Sequence, residues 1–242
     1  SSTGTALGVY DGTAQKYVGG INHDGNVYGE RATISTNAKI GGLTVGPGNG
    51  TLGSCAALGW DVLKNNTGNW NIGIGNVALG NNTVGTSNVA IGDGAMRDNK
   101  ASSNCVAIGG GAGRYMTDVA STTPESRQNT YVGHFAGSGA ESSVATNTGK
   151  WNTGVGANAL ANINTANENT CFGLNSGSNI TTGSYNACFG TFAGRGTDNG
   201  DDTPRPITGE GNSAFGRSSL YSLKTGGYNT SIGSWKIGRA HV

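Results

Sequence analysis

The sequence predicts an all-β protein: a parallel β-solenoid, or β-roll, of about ten 17-residue coils. Three observations carry this reading. A phrase of the form Asn-x-small-large apolar-Gly recurs ten times between Cys55 and Gly233. The closing glycines, Gly59, Gly75, Gly92, Gly109, Gly133, Gly156, Gly173, Gly190, Gly216 and Gly233, are separated by 16, 17, 17, 24, 23, 17, 17, 26 and 17 residues, a 17-residue unit with three enlarged turns. Composition agrees, because 45 glycines in 242 residues with 12% charged and 34% hydrophobic residues suit neither a helical or doubly wound protein nor ordinary disorder. A repeat of this length implies stacked units that bury apolar surface only against one another.

Each column of the repeat has a physical role. The residue before the glycine is large and apolar throughout: Leu58, Ile74, Ile91, Ile108, Val132, Val155, Phe172, Phe189, Phe215 and Ile232. This column is expected to fill the interior. Two positions earlier stand mostly β-formers such as Ile72, Val89, Val106 and Thr130, which share a strand face with it. Between the two lie Ala57, Gly73, Ala90, Ala107, Tyr131, Gly154, Cys171, Cys188, Ala214 and Ser231, nearly all small. They are expected to form a flat opposite face.

Asn opens eight of the ten phrases, at Asn71, Asn88, Asn129, Asn152, Asn169, Asn186, Asn212 and Asn229. An amide that recurs once per coil can donate to the coil on one side and accept from the other, the ladder that staples stacked strands. The glycine that follows suits a sharp corner whose backbone conformation is costly for any residue with a Cβ. Three and four residues beyond it comes a second small-plus-apolar pair, as in Ala78-Leu79, Ala95-Met96, Ala159-Leu160 and Ser219-Leu220, expected to form a second strand. Where this pair ends in glycine, as in Ser176-Gly177 and Ala193-Gly194, the preceding Phe172 and Phe189 suggest volume compensation across a narrow interior. At about 4.8 Å per coil, ten coils would extend on the order of 50 Å.

The four cysteines follow the columns. Cys171 and Cys188 lie one period apart, at a distance that admits a disulfide, but parallel in-register side chains point the same way, so free thiols are expected. Cys55 and Cys105 share the Asn column three coils apart, roughly 14 Å, too far to pair. No zinc spacing is present. A net charge of +1 without a basic cluster argues against nucleic acid, and no segment approaches the roughly 18 apolar residues of a membrane span.

Domain organisation reads in three parts. Residues 1–40 contain short-strand patterns at Val9-Tyr10-Asp11, Lys16-Tyr17-Val18, Asn26-Val27-Tyr28 and Ala32-Thr33-Ile34, separated by Asp-Gly turns, and form a small β region or cap. Residues 41–235 are the solenoid. The final stretch 236–242, Lys-Ile-Gly-Arg-Ala-His-Val, is the peptide that a common sequencing adapter would encode, and is read as a translated artefact on a chain cut in mid-repeat. Ser1 is neither an initiator Met nor part of a signal peptide, so the chain reads as a fragment or processed form.

Phrases such as Asn88-Val89-Ala90-Ile91-Gly92 and Asn152-Thr153-Gly154-Val155-Gly156-Ala157-Asn158-Ala159-Leu160 resemble the shaft repeats of bacteriophage tail fibres and are similar to the head repeats of trimeric autotransporter adhesins. The likeness covers about residues 41 to 235. It implies a left-handed parallel β-roll, three chains side by side, and a role in surface attachment, with a 17-residue unit that favours the tail-fibre branch. The expected partners are two further copies of the chain, a host cell-surface glycan or protein, and other tail or baseplate proteins, with no nucleic acid and no membrane insertion. The flat small-residue face gives a motive for the homotrimer, since close approach of copies would bury it. The expected location is the virion; the alternative is a bacterial surface adhesin or filament subunit, extracellular at the cell surface.

Ligand contacts are expected on the enlarged turns, which leave the coil just after Gly113, Gly137 and Gly194. The candidate receptor-contact residues are Arg114, Tyr115, Asp118, Arg127, His134, Asp198, Asp201, Asp202 and Arg205. Tolerated surface insertions without a ligand are the plainer alternative. Gly109-Gly110-Gly111-Ala112-Gly113-Arg114 resembles a phosphate loop, yet no Gly-Lys-Ser/Thr follows. Asp198-Asn199-Gly200-Asp201-Asp202 lacks the EF-hand ligand series. The reading is therefore of a non-enzyme with no cofactor, no metal and no catalytic residues; a glycan-depolymerising tailspike, which needs a spaced carboxylate pair, is the less favoured enzyme alternative.

Overall fold

The computed structural model describes residues 54–116, 123–139, 147–196 and 205–235 in full, together with the backbone of five earlier strands. Two units are distinguished, Ser1–Ser35 and Thr36–Val242. The first carries β1 (Leu7–Asp11), β2 (Lys16–Ile21) and β3 (Val27–Tyr28), an antiparallel sheet in the order β1-β2-β3. Three of the four short-strand patterns are these strands; Ala32-Thr33-Ile34 lies outside the described residues.

The second unit opens with an antiparallel pair, β4 (Ala38–Ile40) and β5 (Leu43–Gly46). Next comes β6 (Ala56–Gly59), which pairs antiparallel with β5 and parallel with β7 (Ile72–Ile74). Two-residue strands β9 (Ser102–Ser103) and β11 (Glu125–Ser126) form a separate parallel pair. The remaining rungs are β8 (Val89–Ile91), β10 (Val106–Ile108), β12 (Thr130–Val132), β13 (Thr153–Val155), β14 (Thr170–Phe172), β15 (Ala187–Phe189), β16 (Ser213–Phe215) and β17 (Thr230–Ile232). From β6 to β17 the ten rungs pair parallel in unbroken register, with Leu58 beside Ile74, Ile91 and Ile108, then Val132, Val155, Phe172, Phe189, Phe215 and Ile232. The stacked parallel coils of a β-solenoid are present as predicted, and no helix occurs among the described residues.

The inward and outward faces are the reverse of the expectation. Ala57, Ala90, Ala107, Tyr131, Cys171, Cys188 and Ala214 are buried, whereas Leu58, Ile74, Ile108, Phe172, Phe215 and Ile232 stand in solvent at 37–73% exposure. A three-residue rung with its centre turned inward necessarily turns both ends outward. In most coils the interior has room only for a small central residue, because two other columns already fill it; Tyr131 fits because Gly137 faces it. One is the apolar residue four after each corner, as in Leu63, Leu79, Met96, Leu160 and Leu220; the other is Met116, Ile163, Ile180 and Ile207 on the third wall. The column read as core is thus an exposed apolar stripe, and the small column read as a flat outer face is core.

The pair three and four residues after the corner is a turn and no strand. Its apolar member adopts a left-handed backbone, with φ of 49°, 51°, 48°, 54° and 49° at Leu63, Leu79, Met96, Leu160 and Leu220. The residue two earlier is left-handed as well, as at Asp61, Val77, Phe135 and Asn158, so the extended run a strand needs does not form. Coils still bond here, through Leu79 N to Ala95 O at 3.0 Å and Met96 N to Ala112 O at 2.9 Å. This explains the glycines at Gly113, Gly137, Gly177 and Gly194, where φ is 55–58°. A Cβ on Gly177 or Gly194 would collide with the Sγ of Cys171 or Cys188. At Gly137, Gly177 and Gly194 volume is therefore exchanged with the rung's central residue, Tyr131, Cys171 or Cys188, whereas Gly113 makes room for Met116; the Phe172 and Phe189 side chains point away.

The corner glycines fit their predicted role. Their φ runs from 113° to 144°, and from Gly59 to Gly216 an added Cβ would lie closer than 3.0 Å to the backbone of the next corner glycine. The Asn ladder is also as expected. Asn186 Nδ2 donates to Asn169 Oδ1 at 3.0 Å and Asn212 Nδ2 to Asn186 Oδ1 at 2.9 Å, while each Oδ1 also accepts the next coil's backbone N–H. A second ladder that the sequence reading missed, Asn66, Asn82 and Asn99, lines the third wall of the first coils, with Asn99 Nδ2 to Asn82 Oδ1 at 2.8 Å. All four cysteines are free thiols, with Cys171 beside Cys188 in register. Burial, then the Cys188 hydrogen bond, pushes the Cys171 thiol up.

Candidate functional site

The described backbone stays on the coil as far as Met116, Gly139 and Gly196 and resumes at 123, 147 and 205. Two of the stems are anchored inside. Met116 is fully buried at the exit of the first insertion; Ile207, fully buried, bridges to Ile180 at the return of the third. Glu125 and Ser126 return as β11 against β9, so the end of the first insertion is coil wall. That placement corrects one candidate: Arg127 is 1% exposed and pairs with Glu125 at 3.1 Å, so it is not presented at the surface.

Arg205 and His134 are exposed, and Arg114 and Tyr115 are half-buried. Asp118, Asp198, Asp201 and Asp202 lie outside the described residues. Two of the remaining candidates, Arg114 and His134, meet in a notch of about 270 Å³ on the turn side of the coils. Its origin is local. The two positions after the corner carry Asn76-Val77, Asp93-Gly94, Gly110-Gly111 and His134-Phe135 on successive coils, and the middle glycines leave a gap in this ridge. At Gly94 an added Cβ would meet nothing within 4 Å, and the Phe135 ring closes over Gly111.

Charged groups rim the notch. Asp93 Oδ1 accepts from Asn76 Nδ2 at 2.9 Å. Arg97 and Arg114, one coil apart, flank the Tyr115 ring, with guanidinium carbons 5.5 and 5.2 Å from its centre. Arg97 is neutralised by Asp98, Nη2 to Oδ2 at 2.6 Å, and that hydrogen bond, offset in part by burial, raises its pKa further. Arg114 makes no ion pair among the described residues, and its buried Nε has no hydrogen-bond partner. The arrangement can seat one negative charge beside an aromatic face.

Asp93, Arg97 and Phe135 were missed in the sequence because each occupies an ordinary repeat column. The signal was the Gly110-Gly111 doublet, read only as a failed phosphate loop, above two arginines 17 residues apart. A further surface feature is an aromatic column just before the ladder asparagines: Trp70, Trp151, Tyr185 and Tyr228 are 51–83% exposed, each with a left-handed backbone. No group of three or more His, Cys, Asp or Glu side chains suited to a metal occurs among the described residues. No helix there is long and apolar enough to cross a membrane. No protein-family model, curated protein or solved structure matches the chain.

Proposed function

We propose that this chain is a segment of a bacteriophage tail fibre in which three copies pack side by side and carry their turns and insertions to a host cell surface. The observation behind it is the exposed apolar stripe. Leu58, Ile72, Ile74, Ile108, Phe172, Phe215 and Ile232 leave one side of the sheet uncovered, and the Phe172, Phe189 and Phe215 rings stack there at 5.3 and 5.1 Å. Apolar surface of this continuity marks an interaction face. A second copy is the occupant whose repeat distance matches at every rung, so that each exposed residue meets a mate at the same spacing. The packing face is therefore the large apolar column, in place of the small-residue face that the sequence suggested.

Attachment is assigned to the turns that carry the notch and to the insertions that follow them in sequence. Two measurements on the purified chain test this reading. Sedimentation equilibrium is expected to give the mass of three chains, and fluorescently labelled protein is expected to bind a subset of a bacterial strain panel. A monomer at micromolar concentration that binds no strain overturns it.

A further inference from the structure

We propose that the notch between the third and fifth rungs binds the carboxylate of an acidic sugar, with Arg114 as the ion partner and Phe135 as the platform for the ring. This deepens the attachment reading and rests on it for its biological meaning.

The argument begins with Arg114. A guanidinium without an ion pair among the described residues, whose Nε is shielded from water and lacks an acceptor there, gains more from an incoming anion than a solvated surface arginine does. Arg97 next to it is already committed to Asp98, so among the described residues lining the notch Arg114 is the guanidinium without an ion pair. Asp93 stands on the rim with an unassigned carboxylate oxygen. That charge repels a dianion such as phosphate but accepts hydrogen bonds from sugar hydroxyls. A monoanion carrying hydroxyl groups fits both.

Shape points the same way. The volume of about 270 Å³ lies just below the ~300 Å³ at which small-molecule sites begin, matching one sugar residue better than a larger cofactor. Phe135 supplies an apolar face for ring C–H groups, and its ring lies 4.2 Å from that of the exposed His134, at 63°. Gly94 and Gly110 keep backbone at the floor and leave the notch open, so a residue within a longer polysaccharide can lie across it. The Arg195 cluster is less suited: its guanidinium lies 5.0 Å from the Phe192 ring and donates to the Tyr221 hydroxyl at 2.8 Å, so it is already occupied.

Titration of the whole chain with glucuronic acid, glucose and inorganic phosphate, followed by saturation-transfer NMR and calorimetry, tests the proposal. Glucuronic acid is expected to bind in the millimolar range, glucose and phosphate more weakly. Arg114→Gln should weaken glucuronic acid about tenfold, the loss of one charge-assisted contact. Gly94→Asn, which fills the open floor with a residue that tolerates a left-handed backbone, should do the same at an unchanged melting temperature. Equal binding of phosphate, or glucuronic acid binding unmoved by Arg114→Gln, overturns the site. A chain that binds cells but not glucuronic acid sinks this proposal and leaves attachment standing; a chain that binds glucuronic acid but no cell does the reverse.

Discussion

Tyr131 and Gly137 face each other across the interior of one coil, and a Cβ on the glycine would lie closer than 3.0 Å to three atoms of the tyrosine ring. Three coils with a small central residue place Leu or Met there instead: Gly73 with Leu79, Ala90 with Met96, Gly154 with Leu160. The exchange predicts a strong coupling. Tyr131→Ala should cost about 3–5 kcal/mol through the cavity it leaves, and Gly137→Leu about 1–3 kcal/mol or more through overpacking. The double variant recreates the Ala214 and Leu220 arrangement, and Leu79 and Leu160 already adopt the φ of Gly137. A double-mutant cycle by chemical denaturation should show a favourable coupling of about 1–3 kcal/mol, and additive losses would refute the compensation.

The amide ladder makes a second prediction. Asn169 Nδ2 donates to Asn152 Oδ1 at 3.1 Å and Gly183 O at 3.0 Å, and its Oδ1 accepts from the N–H and side-chain amide of Asn186. Asn169→Ala orphans several buried groups and should cost about 2–4 kcal/mol. Asn169→Asp keeps the shape and the acceptor but aims a buried anion at two acceptors, so it should be worse at pH 7 and recover on acidification as the carboxyl gains a donor proton. Urea midpoints at pH 7 and 4 read this directly; an aspartate as stable as asparagine at pH 7 would show that the ladder carries no donor requirement.

Cys105 interrupts that ladder, taking the backbone N–H of Cys105 to Asn88 Oδ1 at 3.1 Å but offering sulfur to the next coil. Burial pushes its thiol from 9.0 up to about 11, with the Asn129 N–H pulling the other way. The folded state therefore holds the proton where the unfolded chain releases it. The stability contribution is complete below pH 9 and is lost as pH rises through about 11, an effect on the order of 2–3 kcal/mol. Cys171 and Tyr131 add to the alkaline loss, since burial raises both. Cys105→Asn should extend the ladder and shallow the loss between pH 9 and 11 relative to wild type; an unchanged profile in thermal melts would assign the loss elsewhere.

What the sequence disclosed depended on periodicity. The register of Leu58 through Ile232, the corner glycines and the Asn71 to Asn229 ladder recur at fixed spacing, so stacking alone places them. Period two says that Ile72 and Ile74 share a face, but not that the face is outside. That depends on how much volume Leu63, Leu79 and Met116 already occupy, which only the closed coil reveals. The left-handed turns were hidden because Leu, Val and Phe rarely adopt that backbone. Of the candidate site, Arg114 and His134 were named as loop residues, while the notch between them is made by the side chains that Gly94, Gly110 and Gly111 lack.

The turn before the ladder shows where the chain holds strain without evident return. Glu168 has φ of 56°, is exposed, and among the described residues forms only the backbone bond from its N–H to Lys150 O at 3.0 Å. Gly211 occupies the same column two coils later, with φ of 66° and the equivalent bond to Ser184 O at 2.9 Å. A left-handed backbone costs a residue with a Cβ about 1–2 kcal/mol, whereas glycine gives up about 0.5–1 kcal/mol of extra chain entropy on folding. Glu168→Gly should thus be stabilising by up to about 1 kcal/mol, visible as a higher denaturation midpoint. Glu168→Ala, which keeps the Cβ, should show no such gain. Trp151→Gly serves as the contrast, because it relieves the same backbone but forfeits the Trp151 Nε1 bond to Gln128 Oε1 at 2.8 Å. A gain from alanine equal to that from glycine would mean that the glutamate side chain, and not its backbone, was the source of the strain.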